Sequence, residues 1–153
     1  MSLYAGDADK IRKLVREAEV HRDVFIDEEL FQLEMDHLFA NTWVYVGHDS
    51  QVPNEGDFYT TTVGSQPVVM VRHTDGEVKV LLNRCPHKGV KVAGETCGNT
   101  GKVFRCPYHA WRFRTDGSLL SIPQMKGYDN TGFAGSPAAH GMTIRFDTLA
   151  RIR

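Results

Sequence analysis

Two short segments of this chain combine cysteine and histidine in the manner of a metal centre. The first is Cys85-Pro86-His87 and the second is Cys106-Pro107-Tyr108-His109, with residues 88–105 between them. Together they offer two thiolate sulfurs and two imidazole nitrogens. Such a set can hold tetrahedral structural zinc. It can also hold a two-iron, two-sulfide cluster in which two His replace two Cys on one iron.

The order of the ligands favours the cluster over zinc. Zinc fingers carry a Cys pair followed by a His pair, whereas each segment here carries one residue of each type. Neutral imidazoles in place of two thiolates remove negative charge, so the centre accommodates an added electron more easily. Its reduction potential therefore lies above that of all-thiolate plant-type clusters, which is about −400 mV. The sequence therefore predicts a Rieske-type 2Fe–2S centre, with a zinc-stapled interaction module as the weaker alternative.

Composition limits the classes of partner. The chain has 153 residues, of which 41% are hydrophobic, enough for one domain with a core. A formal net charge of −1 argues against general nucleic-acid binding. The longest apolar run, Val68 to Val71, is too short to span a bilayer. Three cysteines, two of them assigned to the cluster, argue against a disulfide scaffold and favour a reducing cytoplasm.

The hydrophobic pattern changes from helical to β near residue 42. Helical spacing predicts a helix over 8–19 with Asp7 as its cap, and a second over 28–39 with Asp27 as its cap. Strands are predicted over 43–46, 57–63, 67–73, 77–82, 111–114, 119–122 and 143–149, with a loop over 123–141. The prediction is a helical arm over 1–41 and a mainly β domain over 42–153, with both ligand segments in turns at strand ends.

The residues around the ligands resemble the N-terminal Rieske domain of the large (α) subunit of bacterial aromatic ring-hydroxylating oxygenases. The matching segments are 39–48, 56–58, 66–69, 82–89, 104–111 and 116–117. The resemblance implies a Rieske-type antiparallel β-sandwich with a small cluster-binding subdomain of two loops, preceded by an N-terminal helical arm. Two positions depart from the family: Lys88 stands where Arg is usual, and Ala110 where Gly is usual.

By the same resemblance, Cys85 and Cys106 would hold an inner iron, and His87 and His109 an outer iron near the surface. Four neighbours are candidates for supporting these ligands: Lys88, Gly89, Tyr108 and Trp111. Trp111 would shield the cluster from water, or simply pack beneath a loop.

The resemblance also implies a function in electron transfer. Electrons would pass from a ferredoxin or reductase to a mononuclear non-haem Fe(II), held by two His and a carboxylate in a catalytic domain that is absent from this chain. The remaining histidines are scattered, so we expect the electron-transfer portion of an oxygenase α subunit, working with neighbouring α subunits of a trimer. A free-standing soluble Rieske ferredoxin is the alternative, and the helical arm argues against it.

Two further expectations concern the surroundings of the centre. In Rieske proteins of respiratory complexes, Ser and Tyr hydroxyls donate to the sulfurs, at positions that here hold Trp111 and Phe113. The absence of these donors predicts a midpoint potential near the negative end of the Rieske range.

Basic residues around the ligands would dock an acidic ferredoxin or reductase, or form an ordinary solvated face. They are Lys88, Lys91, Arg105, Arg112 and Arg114. Cys97 is expected to be a loop or partly buried thiol outside the ligand set.

Overall fold

The chain forms two compact units, Met1–Val44 and Tyr45–Arg153. The computed structural model describes residues 3–4, 7–39 and 41–128. The predicted strand over 143–149 and most of the predicted loop over 123–141 lie outside the described residues. Among those described, no helix is long and apolar enough to cross a membrane.

The first unit begins with helix α1, Ala8–Arg12, whose start is capped as predicted. The side chain of Asp7 accepts a hydrogen bond of 3.1 Å from the backbone N–H of Lys10. The predicted continuation to residue 19 is wrong, because β1 (Val15–Arg16) and β2 (Glu19–Val20) form a short hairpin instead. The apolar stripe is not buried, so nothing supports a longer helix, and β-branched valines favour the paired strands.

The second predicted helix has its predicted bounds and cap. Helix α2, Asp23–Ile26, which was not predicted, precedes α3, Glu28–Leu33, and the chain continues as a π-helix over Glu34–Phe39. The carboxylate of Asp27 accepts hydrogen bonds from the backbone N–H groups of Glu29 (2.9 Å) and Leu30 (3.0 Å). Of the apolar residues in this helical segment, Leu30 is buried, whereas Phe31 and Leu38 are exposed.

The second unit contains a four-stranded antiparallel sheet in the order β5-β4-β3-β6. Its strands are β3 (Asp57–Val63), β4 (Gln66–Arg72), β5 (Val78–Leu82) and β6 (Cys97–Asn99). The first three match the predicted strands to within one residue at each end. β6 was not predicted, and Cys97, expected in a loop or partly buried, is an exposed strand residue opposite Tyr59.

A three-stranded antiparallel sheet carries the second ligand segment. Its strands are β7 (Val103–Arg105), β8 (Arg112–Arg114) and β9 (Leu119–Ser121), in that order. β8 and β9 match the prediction to within one residue, and β7 was missed. The predicted strand over 43–46 is wrong, since this segment pairs with none of the strands in the described part of the chain and its Trp43 and Tyr45 side chains are each 70% exposed.

Both sheets of the second unit bury side chains in one hydrophobic core. The rings of Phe58 and Phe104 meet edge to face across it, with centroids 5.9 Å apart. The thiols of Cys85 and Cys106 belong to the same buried cluster. The predicted fold class, mainly β with antiparallel sheets, is confirmed, and the ligand loops grow directly out of the core.

Candidate metal centre

The first ligand loop is closed by two backbone hydrogen bonds. The N–H of Cys85 donates to the carbonyl of Val90, and the N–H of Gly89 donates back to the carbonyl of Cys85, both at 2.8 Å. Gly89 has a φ of +74°, the left-handed conformation that glycine adopts at no steric cost. His87 therefore lies within a tight turn whose two ends are tied together.

The second loop repeats the arrangement. The N–H of Cys106 donates to the carbonyl of Trp111 at 2.8 Å, and the N–H of Ala110 donates back to the carbonyl of Cys106 at 3.1 Å. Ala110 has a φ of +58°, so it adopts the left-handed conformation without being glycine. The two loops thus share one backbone design, and each presents one sulfur and one imidazole.

Asn83 anchors the first loop to the core. Its side-chain oxygen accepts from the backbone N–H groups of Val92 (3.0 Å) and Ala93 (2.9 Å), and its amide donates to the carbonyl of Ala93 at 2.7 Å. The side chain is 1% exposed, so these bonds satisfy polar groups that water does not reach. The sequence reasoning did not assign Asn83 a role, and its signal was a polar residue directly after the apolar strand β5.

Two strands anchor the second loop. β7 leads into Cys106 and β8 leads out of Trp111, and their residues Phe104 and Phe113 lie opposite each other, both buried. The loop is therefore held between paired strands, so its ligands are fixed relative to the sheet.

The two sulfurs lie together inside the protein. Cys85 and Cys106 are each 2% exposed and belong to the same buried cluster. Burial raises the pKa of the Cys85 thiol, while hydrogen bonds from the backbone N–H groups of His87 and Lys88 oppose this rise. The same N–H groups would stabilise a metal-bound thiolate.

The two imidazoles lie together towards the surface. The ring centroids of His87 and His109 are 4.7 Å apart, and His87 stacks on Trp111 at 4.8 Å with its plane within 3° of the indole. His87 is half-buried, His109 is exposed, and the ring of Tyr108 packs on His109 at 3.8 Å. Burial, with the nearby charges of His109 and Lys88, lowers the pKa of His87, which favours the neutral form that binds metals.

This separation into a buried sulfur pair and an outer nitrogen pair fits a 2Fe–2S cluster with mixed ligands. One iron needs two thiolates and the other needs two imidazoles. Among the described residues, no group of three or more His, Cys, Asp or Glu side chains is arranged to hold one ion.

The structure thus places the two predicted cysteine ligands in one buried cluster and the two predicted histidine ligands in ring contact, and all four predicted neighbours lie against these residues or within their loops. Two other histidines have separate contacts. The Nδ1 of His73 lies 2.6 Å from the Oγ1 of Thr115, and the Nδ1 of His48 lies 2.8 Å from the Oγ of Ser50. Both therefore belong to local packing and capping. His140 lies outside the described residues.

Comparison with known proteins gives a consistent picture. Residues 42–134 match the family described as Rieske [2Fe-2S] domain. The N,N-dimethyl phenylurea N-demethylase subunit alpha of Sphingobium sp. (strain YBL2) is 38% identical over 124 residues, covering 80% of this chain and 27% of the relative. The benzene 1,2-dioxygenase subunit alpha of Pseudomonas putida is 39% identical over 111 residues, covering 72% of this chain and 24% of the relative.

A solved structure shares the fold. Naphthalene 1,2-dioxygenase with indole bound in the active site matches with a TM-score of 0.67 and 37% identity, over 75% of this chain and 25% of that chain. The chain therefore spans about a quarter of the length of the proteins that it resembles.

Proposed function

Because this chain belongs to the Rieske [2Fe-2S] domain family, we propose that it is the electron-transfer domain of an aromatic ring-hydroxylating dioxygenase α subunit. It receives electrons from a ferredoxin or reductase and passes them to a mononuclear non-haem Fe(II) in a catalytic domain, where dioxygen is activated for arene hydroxylation. The observation that carries this proposal is the pairing of two buried thiols beneath two outer imidazoles.

The comparisons favour an oxygenase component over a free-standing ferredoxin. The relatives with which the chain shares sequence are α subunits, and both are longer than this chain. We assign residues 1–41 to a helical arm and residues 42–153 to the Rieske domain. The family match over 42–134 and the unit boundary at Val44 support this division.

The residues of the two loops have distinct tasks. Cys85 and Cys106 would hold the inner iron, and His87 and His109 the outer iron. When bound, a 2Fe–2S cluster supplies one-electron transfer. Burial of the thiols excludes water from the sulfur side. The matched backbone hydrogen bonds of the two loops keep the four ligands in fixed relation, so little rearrangement accompanies a change of charge.

The outer imidazoles provide the route out of the domain. A histidine bound through one ring nitrogen keeps an N–H on the other, which can donate to a carboxylate or carbonyl. His109 is exposed, so its outer N–H is available to a partner. We propose that this partner is a carboxylate of the neighbouring α subunit in a trimer, next to that subunit's catalytic iron.

All three cysteines are free, in keeping with a cytoplasmic setting.

The test of this proposal is the metal content and redox chemistry of the purified chain. Anaerobic protein should be red-brown, contain equal amounts of iron and labile sulfide, and accept one electron per cluster without hydroxylating arenes on its own. Cys85→Ser and Cys106→Ser should lose the cluster, whereas Cys97→Ser, a change at the exposed third thiol, should keep it. Colourless protein that holds zinc, and no iron after reconstitution, would assign the four residues to a structural zinc site instead.

A further inference from the structure

Positive charge is concentrated in the part of the chain that carries the metal centre. Residues 84–114 contain seven basic residues and one acidic residue, Glu95, a formal charge of +6. The whole chain has 18 basic and 19 acidic residues, so the remainder has 11 basic and 18 acidic residues, a formal charge of −7. The overall charge of −1 therefore conceals a strongly basic region.

Two arginines lie directly opposite each other beside the second ligand loop. Arg105 on β7 is the cross-strand partner of Arg112 on β8. Their neighbours Phe104 and Phe113 are buried in the core, whereas both arginines are exposed on the opposite face of the ribbon. Like charges in directly opposed positions destabilise a strand pair. The pairing is therefore unfavourable for folding alone.

The first loop adds exposed basic residues in equivalent places. Arg84 directly precedes Cys85, just as Arg105 directly precedes Cys106, and Lys88 directly follows His87. Arg84 and Lys88 are exposed. Lys88 lies close enough to His87 to affect that imidazole electrostatically. Both ligand loops therefore carry cations beside the imidazole pair.

These cations are not neutralised within the described part of the chain. Neither Arg84, Lys88, Arg105 nor Arg112 forms an ion pair there. Elsewhere such pairs do form, for example Arg16 with Glu19 at 2.7 Å and Lys79 with Glu77 at 2.6 Å. Within the described ranges, these four cations therefore remain open to carboxylates of a binding partner.

We propose that Arg84, Lys88, Arg105 and Arg112 form a basic docking face for an acidic electron-donor protein. This rests on the proposed function and identifies the donor's surface as one of clustered carboxylates. Because the four cations lie within or next to the two ligand loops in the sequence, pairing with them brings the donor's redox group close to these loops, while the outer edge of His109 stays available to the acceptor. Complementary charge of this kind mainly raises the association rate, and the effect weakens as salt screens it.

The test is the rate at which a donor reduces the chain with its cluster bound. The probe is a reduced, acidic plant-type 2Fe–2S ferredoxin, mixed with the oxidised protein in a stopped-flow instrument over a range of ionic strength. The double variant Arg105→Gln/Arg112→Gln should lower the second-order rate constant about tenfold at low ionic strength and flatten its salt dependence. The control Arg22→Gln changes an exposed arginine of the N-terminal unit and should leave the rate unchanged.

The midpoint potential separates docking from tuning of the cluster. Docking predicts that the double variant keeps the wild-type potential and visible spectrum. Equal rate constants in wild type and double variant would overturn the proposal, as would a rate loss accounted for by a shifted potential. Two other results would also overturn the proposal. If the wild-type chain associated with itself in a salt-dependent way and the double variant did not, the basic face would bind a second copy of the chain. If the wild-type chain bound duplex DNA in preference to the ferredoxin and the double variant did not, the face would bind nucleic acid. The proposed function itself fails only if the wild-type chain holds no reducible cluster.

Discussion

Gly89 and Ala110 occupy the same position in the two ligand loops, four residues after Cys85 and Cys106 respectively. Both donate a backbone N–H to the carbonyl of their cysteine, and both have positive φ, +74° and +58°. Only one of them is glycine. The second loop therefore holds an alanine in a conformation that disfavours a Cβ, and the closing hydrogen bond is retained despite that cost.

Ala110→Gly should stabilise the protein. Removing the Cβ relieves the left-handed strain, which is about 1 kcal/mol for a non-glycine residue. The urea midpoint should rise accordingly. Gly89→Ala is the matched control in the other loop: no atom lies within 4 Å of its new Cβ, so the midpoint should fall by a similar amount through strain alone. An Ala110→Gly protein less stable than wild type would show that the loop does not need the left-handed conformation.

Replacing an outer imidazole by a thiolate should lower the redox potential. His87→Cys or His109→Cys adds negative charge to the centre. The midpoint potential of any cluster that forms should therefore fall towards that of all-thiolate clusters, about −400 mV. Redox titration followed by visible absorption measures the shift. His37→Cys, at an exposed histidine of the N-terminal unit, should leave the potential unchanged. An unaltered potential in both ligand variants would remove these histidines from the ligand set.

The wild-type midpoint potential should lie low for a Rieske centre. Trp111 and Phe113 are buried and bring no hydroxyl group to the sulfurs, so fewer donors stabilise the reduced state. We expect a value near the negative end of the Rieske range, about −150 mV. Spectroelectrochemical titration under anaerobic conditions gives this number directly. A clearly positive midpoint would mean that other donors to the sulfurs compensate.

Asn83→Ala should loosen the first ligand loop. The substitution leaves the N–H groups of Val92 and Ala93 and the carbonyl of Ala93 without their buried partner. The free energy of unfolding should fall by about 3 kcal/mol, and the cluster should be lost faster to a chelator. Gln66→Ala, at an exposed amide side chain with a long 3.4 Å hydrogen bond to the hydroxyl of Ser65, should change stability by less than about 0.5 kcal/mol. If both variants retained the cluster equally, Asn83 would have no role in holding the loop.

Gly56 and Gly76 separate steric from conformational requirements. Both have positive φ, +80° at Gly56 and +83° at Gly76. A Cβ on Gly56 would lie 2.3 Å from the carbonyl oxygen of Gly101, whereas a Cβ on Gly76 meets nothing within 4 Å. Gly76→Ala should cost about 1 kcal/mol and Gly56→Ala about 3 kcal/mol, measured by urea denaturation. If both substitutions lowered the free energy of unfolding equally, the backbone around Gly56 would be able to shift and accommodate the Cβ at no energetic cost.

Local pattern predicted the elements whose partners are close in sequence. β3, β4 and β5 combine β-branched residues with turn residues such as Gly64-Ser65, and β4 pairs with the strand before it and the strand after it in the chain. The segment 43–46 has the same residue types but pairs with no strand among the described residues. Its composition alone therefore led to a wrong strand prediction. β6 was missed because two of its three residues, Gly98 and Asn99, are poor strand formers, and β7 was missed although Val103 and Phe104 favour a strand. The helix predicted over 8–19 stopped early, because its apolar stripe is not buried.

The four proposed ligand residues stand out in the sequence because their chemistry is unusual and their spacing is short. Their arrangement into an inner sulfur pair and an outer nitrogen pair came from the family resemblance, and the residues themselves did not reveal it. The supports of the loops were harder to predict. The contacts of Asn83 reach residues nine and ten positions away, and the φ of Ala110 depends on a backbone hydrogen bond within the folded loop. Neither leaves a periodic signal.

The membership of Cys85 and Cys106 in the hydrophobic core affects how the metal centre would be assembled. A protonated cysteine behaves as a small apolar residue, and burial favours that protonated form at Cys85. The polypeptide can therefore complete its packing before iron binds, so that the binding site is preformed when the metal is delivered. Loading would then release thiol protons rather than trigger folding, so uptake should slow as the solution becomes more acidic.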